Sequence, residues 1–472
     1  MHRVQLVEDS DLCDLGAAEV GRRLSAGRIS AIDVLDAQLA RIEERNGALG
    51  AVVSLDADGA RRRAQAADDA LAAGRPIGPL HGVPITLKDG NDVAGLRTTI
   101  GTYELDNVPT IDGAVAARLR AAGANIIGHT NVAAWLADHQ SANPVFGRTS
   151  NPWDLSRTSG GSSGGAAAAV ASGMTPLDVG SDLVGSLRQP ASFCGVYALK
   201  TTEHRVPLTG FFRTPDGAPR PVRIMLGLGP LARDLDDLEL ALSVISGPDG
   251  FDGDVPPVPL TRCDPRAPGD LRVAVAPDIP GAPVAKVLRD KVDQVAGAIS
   301  DAGGQVREAL PEISWQEQGE LFGELIQLVT SVFTPDGTDF RLARYLELLS
   351  RRDELIGRWE RFFDHCDALL MPPAATVAYP HCPPGEPLSL DGGQIASPPI
   401  PYHEQGLVFA SASLNGLPSL VMPAGLDDGG LPTGIQLVGA RWHEPQLLAT
   451  GRALENAGLT PGFRRPPVTG VG

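Results

Sequence analysis

The N-terminal quarter of this 472-residue chain repeats apolar residues at the spacing of an α-helix. Within Ala31–Arg45, apolar residues recur every three or four positions with charged residues between them, which predicts a helix. Ser30 precedes this segment and is expected to be its N-cap. Two further helices are predicted at Leu15–Ala26 and Asp58–Ala73. The first region is therefore expected to be helical.

Farther along the chain, short apolar runs alternate with helical segments. Val83, Ile85 and Leu87 predict a strand with Lys88 at its carboxyl end, and another helix is expected from Asn131. The other predicted elements are helices at Gly113–Ala122, Val284–Ile299 and Glu444–Ala457, and strands at Asn125–Gly128, Leu271–Ala276, Gln305–Glu308, Ala368–Met371, Ser419–Pro423 and Gly434–Val438. This order predicts an α/β fold in which helices cover both faces of a central, mixed and twisted β-sheet.

Charge and cysteine content narrow the classes of partner. The net charge is −17, from 57 acidic and 40 basic residues, which argues against binding to nucleic acid or an anionic membrane. Five cysteines with no CxxC pair disfavour both a disulfide framework and a zinc site. No signal sequence and no run of 18 apolar residues is found. A cytoplasmic protein is therefore expected.

The segment Ser159–Lys200 carries the strongest chemical signal. It begins with a glycine- and serine-rich loop that runs into an alanine-rich helix. A phosphate-binding P-loop would need Lys and Ser or Thr after its last glycine, but alanines follow here. The loop also contains a GxSxG motif, which would make Ser162 the nucleophile of an esterase-like triad. The candidate bases for that alternative are His365, His381, His403 and His443. The preceding TSNPWDLSRTS is not a hydrophobic strand, as such a motif requires.

Three blocks of sequence resemble the amidase signature family. They are GPLHGVPITLKD, SGGSSGGAAAAVASG and GSDLVGSLRQPASFCGVYALK, and further matches include NGLPSLVMPAG and LPTGIQLVG. The resemblance implies that Ser186 is the nucleophile, that Ser162 bridges in a cis peptide bond, and that Lys88 is the base. A serine hydroxyl needs an adjacent base to become nucleophilic. Lysine can serve only if burial lowers its pKa.

The same resemblance implies supporting roles around Ser186. Asp182 and Arg188 are expected to hold the loop, while Ser163 is expected to satisfy backbone groups. Val184 stands where the family usually has glycine, so we expect a shifted oxyanion hole or a narrower, more apolar pocket. The implied oxyanion hole consists of the backbone N–H groups of Leu183, Val184, Gly185 and Ser186.

These features divide the chain, taken as one domain, into four regions. They are a helical N-terminal region (1–75), a catalytic core (76–247), a variable, lid-like region (248–404), and C-terminal strands with a helix (405–472). Phe211–Arg223, Gly247–Gly269 and Val377–Glu404 read as long loops, and the helical segment Ser314–His365 is expected to lie over a pocket.

The implied activity is hydrolysis of amide-like C–N bonds through an acyl-enzyme on Ser186. The resemblance extends to urethane-cleaving bacterial members, so carbamates are included with amides and anilides. No cofactor or metal is expected, and the protein is expected to be a monomer or homodimer. The alternatives are a glutamine-amidotransferase A-type subunit that releases ammonia within a complex, the Ser162 esterase described above, and a relative without activity.

Overall fold

Twelve α-helices occur among the residues that the computed structural model describes, which are 11–75, 78–212, 222–264, 266–331, 341–393 and 398–467. They are α1 (Ala17–Ser25), α2 (Ala31–Leu49), α3 (Ala57–Ala72), α4 (Ala114–Ala121), α5 (Gly164–Ala171), α6 (Arg188–Cys194), α7 (Leu235–Ile245), α8 (Lys286–Asp301), α9 (Trp315–Thr330), α10 (Leu342–Phe363), α11 (Ala410–Leu414) and α12 (Glu444–Asn456). None of these helices is long and apolar enough to span a membrane.

The strands form one large sheet, one small sheet and two short hairpins. They are β1 (Val52–Leu55), β2 (Pro84–Lys88), β3 (Asn125–Thr130), β4 (Ala142–Asn143), β5 (Gly147–Arg148), β6 (Ser150–Asn151), β7 (Asp154–Thr158), β8 (Leu177–Asp182), β9 (Tyr197–Lys200), β10 (Gly227–Ala232), β11 (Arg272–Val275), β12 (Gln305–Glu308), β13 (Ala368–Met371), β14 (Ser419–Leu426) and β15 (Pro432–Val438). The large sheet has the order β12-β11-β13-β15-β14-β9-β10-β8, and the small sheet has the order β1-β3-β2.

The large sheet is mixed, with helices on both faces. β11 pairs in parallel with β12 and β13, while the strands from β13 through to β8 pair antiparallel. Its strands near the centre are buried along their whole length, as expected for a sheet covered on both sides. This confirms the predicted α/β fold.

Most predicted elements are present, with shifts of a few residues at their ends. Ser30 caps α2 as expected, because its Oγ accepts a hydrogen bond from the Asp33 N–H at 3.0 Å. The helix predicted from Asn131 is wrong: only a short 3-10 turn, Ala134–Leu136, forms there, and Trp135 takes a positive φ of 56°. Of the loop predicted at Phe211–Arg223, residues 213–221 lie outside the described residues.

The small sheet is joined to the large one by side chains of β2, β3 and β8. Thr86 Oγ1 and Thr130 Oγ1 both donate to Asp178 Oδ2, at 2.7 and 3.0 Å. These buried contacts bring the end of β2, which is Lys88, close to the end of β8, which is Asp182. The loop after β8, which carries Ser186, and the loop before α5, which carries Ser162, therefore lie close to each other.

Helix α5 fits into the core because its side chains are small. All eight of its residues, from Gly164 to Ala171, are buried, and seven of them are glycine or alanine. A Cβ atom on Gly165 would lie 2.3 Å from the Asn131 nitrogen, so no larger residue fits at that position. The glycine-rich sequence therefore serves close backbone packing rather than a flexible linker.

Candidate active site

Lys88 ends β2 in an environment without exposure to solvent. Its Nζ atom lies within hydrogen-bond distance of three serine hydroxyls. The distances are 2.7 Å to Ser162 Oγ, 2.8 Å to Ser163 Oγ and 2.9 Å to Ser181 Oγ. A neutral amine has only two N–H bonds and one lone pair, so one of the three hydroxyls can donate a hydrogen bond to the neutral lysine. This is the arrangement that a proton acceptor requires.

Burial lowers the pKa of Lys88 to about 7 from its ordinary value of 10.5. The carboxylates of Asp182, Asp178 and Asp89 act in the opposite direction, but removal of the ammonium from water outweighs them. None of these carboxylates forms an ion pair with Nζ within 4 Å, and the three close partners are uncharged. Lys88 therefore titrates where a general base is most effective at neutral pH.

The loop that precedes α5 brings Ser162 to Lys88. The peptide bond between Gly161 and Ser162 is cis. A Cβ atom on Gly161 would lie 2.6 Å from the backbone oxygen of Asp138 and the nitrogen of Gln140, so this loop packs directly on that segment. Thr158 Oγ1 and Ser141 Oγ accept hydrogen bonds from backbone N–H groups of the loop, which fixes both of its ends.

Asp182 organises the loop that carries Ser186. Its carboxylate accepts hydrogen bonds from the backbone N–H groups of Gly185, Leu187 and Arg188 at 2.9 to 3.3 Å. The Arg188 guanidinium closes a bidentate pair with it at 2.8 and 3.0 Å, and neither side chain is exposed. Burial raises the pKa of Asp182, but Arg188 and the backbone donors together hold it well below its usual range.

The backbone of the Ser186 loop leaves three of the four expected oxyanion donors free. Gly185, which was expected to be the fourth, instead donates its N–H to Asp182 Oδ1, so that expectation is corrected. The N–H groups of Leu183, Val184 and Ser186 have no acceptor among the described residues. These three N–H groups remain the candidates for an oxyanion hole.

Val184 does not adopt a positive φ, the backbone conformation that a β-branched residue disfavours. The positive φ, +84°, falls on Gly185, where an added Cβ would lie 2.4 Å from the Phe409 ring. Val184 instead contributes an apolar side chain to the cavity wall. Its Cγ1 lies 3.3 Å from where a Cβ atom added to Gly406 would stand. The expected change is thus in the surface of the pocket and not in the turn of the loop.

A cavity of about 720 Å³ opens in front of these loops. Ser162, Ser181 and Ser186 line its inner end, and α9 lines it from another side, as expected for the helical segment Ser314–His365. The other described lining residues are Trp135, Leu136, Ala137, Asp138, His139, Leu183, Val184, Leu208, Phe211, Phe212, Val222, Leu226, Phe322, Gly323, Ile326, Gln327, Thr330, Tyr402, His403, Gly406 and Leu407. This volume suits a small organic molecule.

Sequence reasoning missed several residues of the site. Ser181 was not singled out, although it directly precedes Asp182 and contacts Lys88. Asp138, His139 and Tyr402 also line the cavity, and 264 residues separate Asp138 from Tyr402, which bonds to it. In the sequence, Asp138 is only a charged residue within the segment after Asn131, where a helix was predicted and does not form. Nothing in the sequence could have linked it to Tyr402.

The alternative triad centred on Ser162 receives no support from the contacts. Ser162 Oγ bonds to Lys88 Nζ, and no histidine bonds to it among the described residues. The preceding segment does contain a strand, β7, but four of its five residues are polar and only Thr158 is buried, so it is not the hydrophobic strand that the motif requires. No group of three or more His, Cys, Asp or Glu side chains in the described part of the chain could hold a metal ion.

Comparison with known proteins identifies the family. The amidase family model matches residues 33–322 and 330–448. The putative amidase AmiB2 of Mycobacterium tuberculosis (strain ATCC 25618 / H37Rv) is 33% identical over 98% of this chain and 100% of its own length. In Roseiflexus sp. (strain RS-1), the A subunit of glutamyl-tRNA(Gln) amidotransferase is 32% identical over 94% of this chain and 96% of its own.

A solved structure agrees with this match. A bacterial aryl acylamidase of the amidase signature enzymes superposes with a TM-score of 0.81 at 25% identity, covering 95% of this chain and 97% of its own. The chain therefore belongs to the amidase family. As a member of that family, it is a hydrolase of C–N bonds.

Proposed function

We propose that this protein hydrolyses amide bonds in small, mainly apolar substrates through an acyl-enzyme on Ser186. The observation that carries the proposal is the buried Lys88, with a pKa of about 7 and Nζ 2.7 Å from Ser162 Oγ. Ser162 and Ser186 line the same cavity, so both side chains border the space that a substrate would occupy. In this proposal, Lys88 is the base, Ser162 is the relay and Ser186 is the nucleophile of one proton-transfer path.

The proposed reaction begins with proton transfer. Neutral Lys88 accepts the proton of Ser162, Ser162 accepts that of Ser186, and Ser186 Oγ attacks the carbonyl carbon. The amine then leaves with the proton returned through Ser162, and an acyl-enzyme remains. Water attacks that ester by the same route, so the acid is released and Ser186 regains its proton.

The oxyanion of each tetrahedral intermediate needs hydrogen-bond donors that are already in place. The N–H groups of Leu183, Val184 and Ser186 fit this role because no acceptor among the described residues occupies them. The Asp182–Arg188 pair holds the loop that carries them. One such donor contributes about 3 kcal/mol to the transition state.

One step of the relay is not formed in the resting geometry. The Ser186 hydroxyl makes no hydrogen bond to Ser162 within the part of the chain that the structure describes. Catalytic hydrogen bonds are often long or misaligned in ligand-free enzymes and tighten when the substrate binds.

The cavity supports aryl and alkyl substrates. Its described lining is rich in aromatic and aliphatic side chains, including Phe211, Phe212, Phe322 and Ile326. The similar solved structure is an aryl acylamidase, which agrees with a preference for anilides. Carbamates share the acyl–nitrogen bond and the same tetrahedral chemistry, so we include aryl and alkyl carbamates as a second substrate class.

The similarity to the amidotransferase component supports a second candidate, release of ammonia from glutamine within a complex. Glutamine carries an α-carboxylate, which proteins usually bind with arginine or lysine. None of the described residues that line the cavity is arginine or lysine. We therefore favour the amide hydrolase that acts alone.

Fluorophosphonate labelling followed by peptide mass spectrometry tests the proposal directly. We expect a label on Ser186 of the wild-type protein, a strongly reduced rate of labelling in Lys88→Met, and hydrolysis of small anilides by the isolated chain. Ser156→Ala, at an exposed serine of β7, is the matched control and should label normally. A label on Ser162, or glutamine hydrolysis that exceeds anilide hydrolysis, would contradict the proposal.

A further inference from the structure

The charges around the cavity are unbalanced. Asp138 is the only Asp or Glu among the described residues that line it, and that lining contains no Lys or Arg. The two cations of the site, Lys88 and Arg188, are fully buried; Lys88 is covered by serine hydroxyls, and Arg188 is paired with Asp182. Neither belongs to the cavity lining, so its described wall presents one carboxylate within a mainly apolar surface.

Asp138 is held in position from two sides. Tyr402 donates its hydroxyl proton to Asp138 Oδ1 at 2.7 Å, and Gln140 Nε2 in turn donates to the Tyr402 oxygen at 3.2 Å. Burial, together with the Asp138 charge, raises the pKa of Tyr402, so the tyrosine stays a donor. The backbone of 138–140 packs on Gly161, which directly precedes Ser162. The carboxylate is thus fixed near the serine loop.

This carboxylate lacks a cationic partner in the described part of the chain. Among the described residues, Asp138 has no ion-pair partner within 4 Å, and its one hydrogen bond to a side chain comes from Tyr402. The neighbouring His139 lines the same cavity; burial lowers its pKa, and the Asp138 carboxylate acts in the opposite direction. Asp138 is half-buried at the cavity wall, so its carboxylate is accessible to a cation that arrives with the ligand.

The aromatic side chains that line the cavity fit the same partner. Tyr402 lies edge-on to the His139 ring, with 6.2 Å between centroids, and Trp135, Phe211 and Phe322 line the cavity as well. Aromatic faces attract ammonium groups and also pack against an apolar chain. A ligand with an apolar body and one ammonium group would satisfy both features of this wall.

We propose that Asp138 is a specificity-determining residue that selects amide substrates bearing a protonated amine, held by its carboxylate within the aromatic wall. Tyr402 is its positioning residue. The inference rests on the proposed amide hydrolysis and adds the substrate class. Substrates with a carboxylate at the same place are disfavoured, since they would face Asp138 without a compensating cation.

Matched substrates test this selection. One series of p-nitroanilides carries acyl chains of equal length that end in an ammonium, a methyl or a carboxylate group. A second series places the same three ends on the amine portion of a benzamide. We expect kcat/KM to be about tenfold higher for the ammonium end than for the methyl end in at least one series, and lowest for the carboxylate end.

Two variants assign the selection to Asp138. Asp138→Asn should bring the ammonium-to-methyl ratio of kcat/KM close to one, and Tyr402→Phe should give an intermediate ratio. Asp278→Asn removes the same charge from an exposed position outside the cavity lining and should keep the wild-type ratio. That control separates local recognition from long-range attraction by the net negative charge.

Each other outcome is decisive. A ratio at or below one in both series of the wild-type enzyme, or a ratio that Asp138→Asn leaves unchanged, overturns the selection by Asp138. If the methyl-ended substrates are still hydrolysed, the proposed amide hydrolysis survives that result. If no member of either series is hydrolysed and Ser186 takes no fluorophosphonate label, both proposals fail.

Discussion

Two basic side chains, Arg188 and Lys88, lie buried within the same site, and they differ in the charge of their closest partners. Arg188 is surrounded by the Asp182 carboxylate, the Ser413 hydroxyl and the Phe409 ring, so its charge is matched. Lys88 is surrounded by three hydroxyls, so burial lowers its pKa to about 7. The comparison teaches that a buried guanidinium paired with a carboxylate can hold a loop in place, whereas a buried amine among neutral hydroxyls has its pKa lowered enough to serve as a base.

The largest effect is expected when Lys88 is made a permanent cation. Lys88→Arg keeps a positive charge, but a guanidinium cannot give up its proton at any usable pH. We expect kcat/KM for an anilide to fall by about 10⁴-fold, the upper range for loss of a general base. The measurement is steady-state hydrolysis at neutral pH. Activity within tenfold of wild type would remove Lys88 from the role of base.

The second effect is expected when the charged pair is broken. Asp182→Asn leaves Arg188 buried without its counter-charge, which destabilises a protein by about 3–5 kcal/mol. It also weakens the hydrogen bonds that Asp182 accepts from Gly185 and Leu187. The free energy of unfolding in urea measures this loss.

A matched surface pair provides the control for that measurement. Asp106→Asn removes the carboxylate bonded to Arg97 at 2.7 Å, where both side chains are partly exposed. It should change the free energy of unfolding by less than about 1 kcal/mol. If both variants lose the same free energy of unfolding, burial does not determine how much the Asp182–Arg188 pair contributes to stability.

The third effect concerns pH. Because the pKa of Lys88 is about 7 in the folded enzyme, the lysine holds its proton below pH 7 and cannot act as base. We therefore expect kcat/KM to rise with pH, by about tenfold per unit below pH 7, and to level off above it. A pH profile measured with an uncharged anilide checks this.

A second buried lysine, Lys200, provides the control that assigns the pH profile to Lys88. Lys200 donates to the carbonyl oxygens of Thr201 and Leu417, and burial lowers its pKa to about 8. Lys200→Met should leave the inflection near pH 7 in place. An inflection near pH 8 in the wild type that disappears in this variant would assign the profile to Lys200 instead.

The sequence was informative where a residue's role is carried by its immediate neighbours. The alternating Val83, Ile85 and Leu87 predicted β2, and the small residues after Ser162 predicted a tightly packed loop and helix. Both features depend on periodicity and side-chain size, which a sequence displays directly. The supporting role of Asp182 and Arg188 was implied by the family resemblance instead, and their side chains do pair, six positions apart.

Features assembled from distant segments could not be predicted in this way. Asp138 and Tyr402 come together across most of the chain, and no periodic pattern encodes that contact. Strand β7 was missed because its exposed, polar residues show no apolar alternation. The hydrogen bond from the Gly185 N–H to Asp182 depends on the three-dimensional course of the loop, so the family resemblance implied four donors where three are without an acceptor among the described residues.

The smallest expected effect decides between Ser162 and Ser163, the two hydroxyls nearest to Lys88 Nζ, as the relay. Ser162 and Ser163 lie 2.7 and 2.8 Å from Nζ, so distance does not separate them, but only Ser162 lines the cavity. Ser163→Ala should therefore remove the contact with Lys88, worth about 1 kcal/mol, together with the 3.3 Å hydrogen bond to the Ser181 carbonyl oxygen, and lower kcat about fivefold with KM unchanged. Ser162→Ala should lower kcat far more, because it interrupts the proton path. Equal losses of kcat in the two variants would mean that both hydroxyls share the relay, and a larger loss in Ser163→Ala would transfer the role to Ser163.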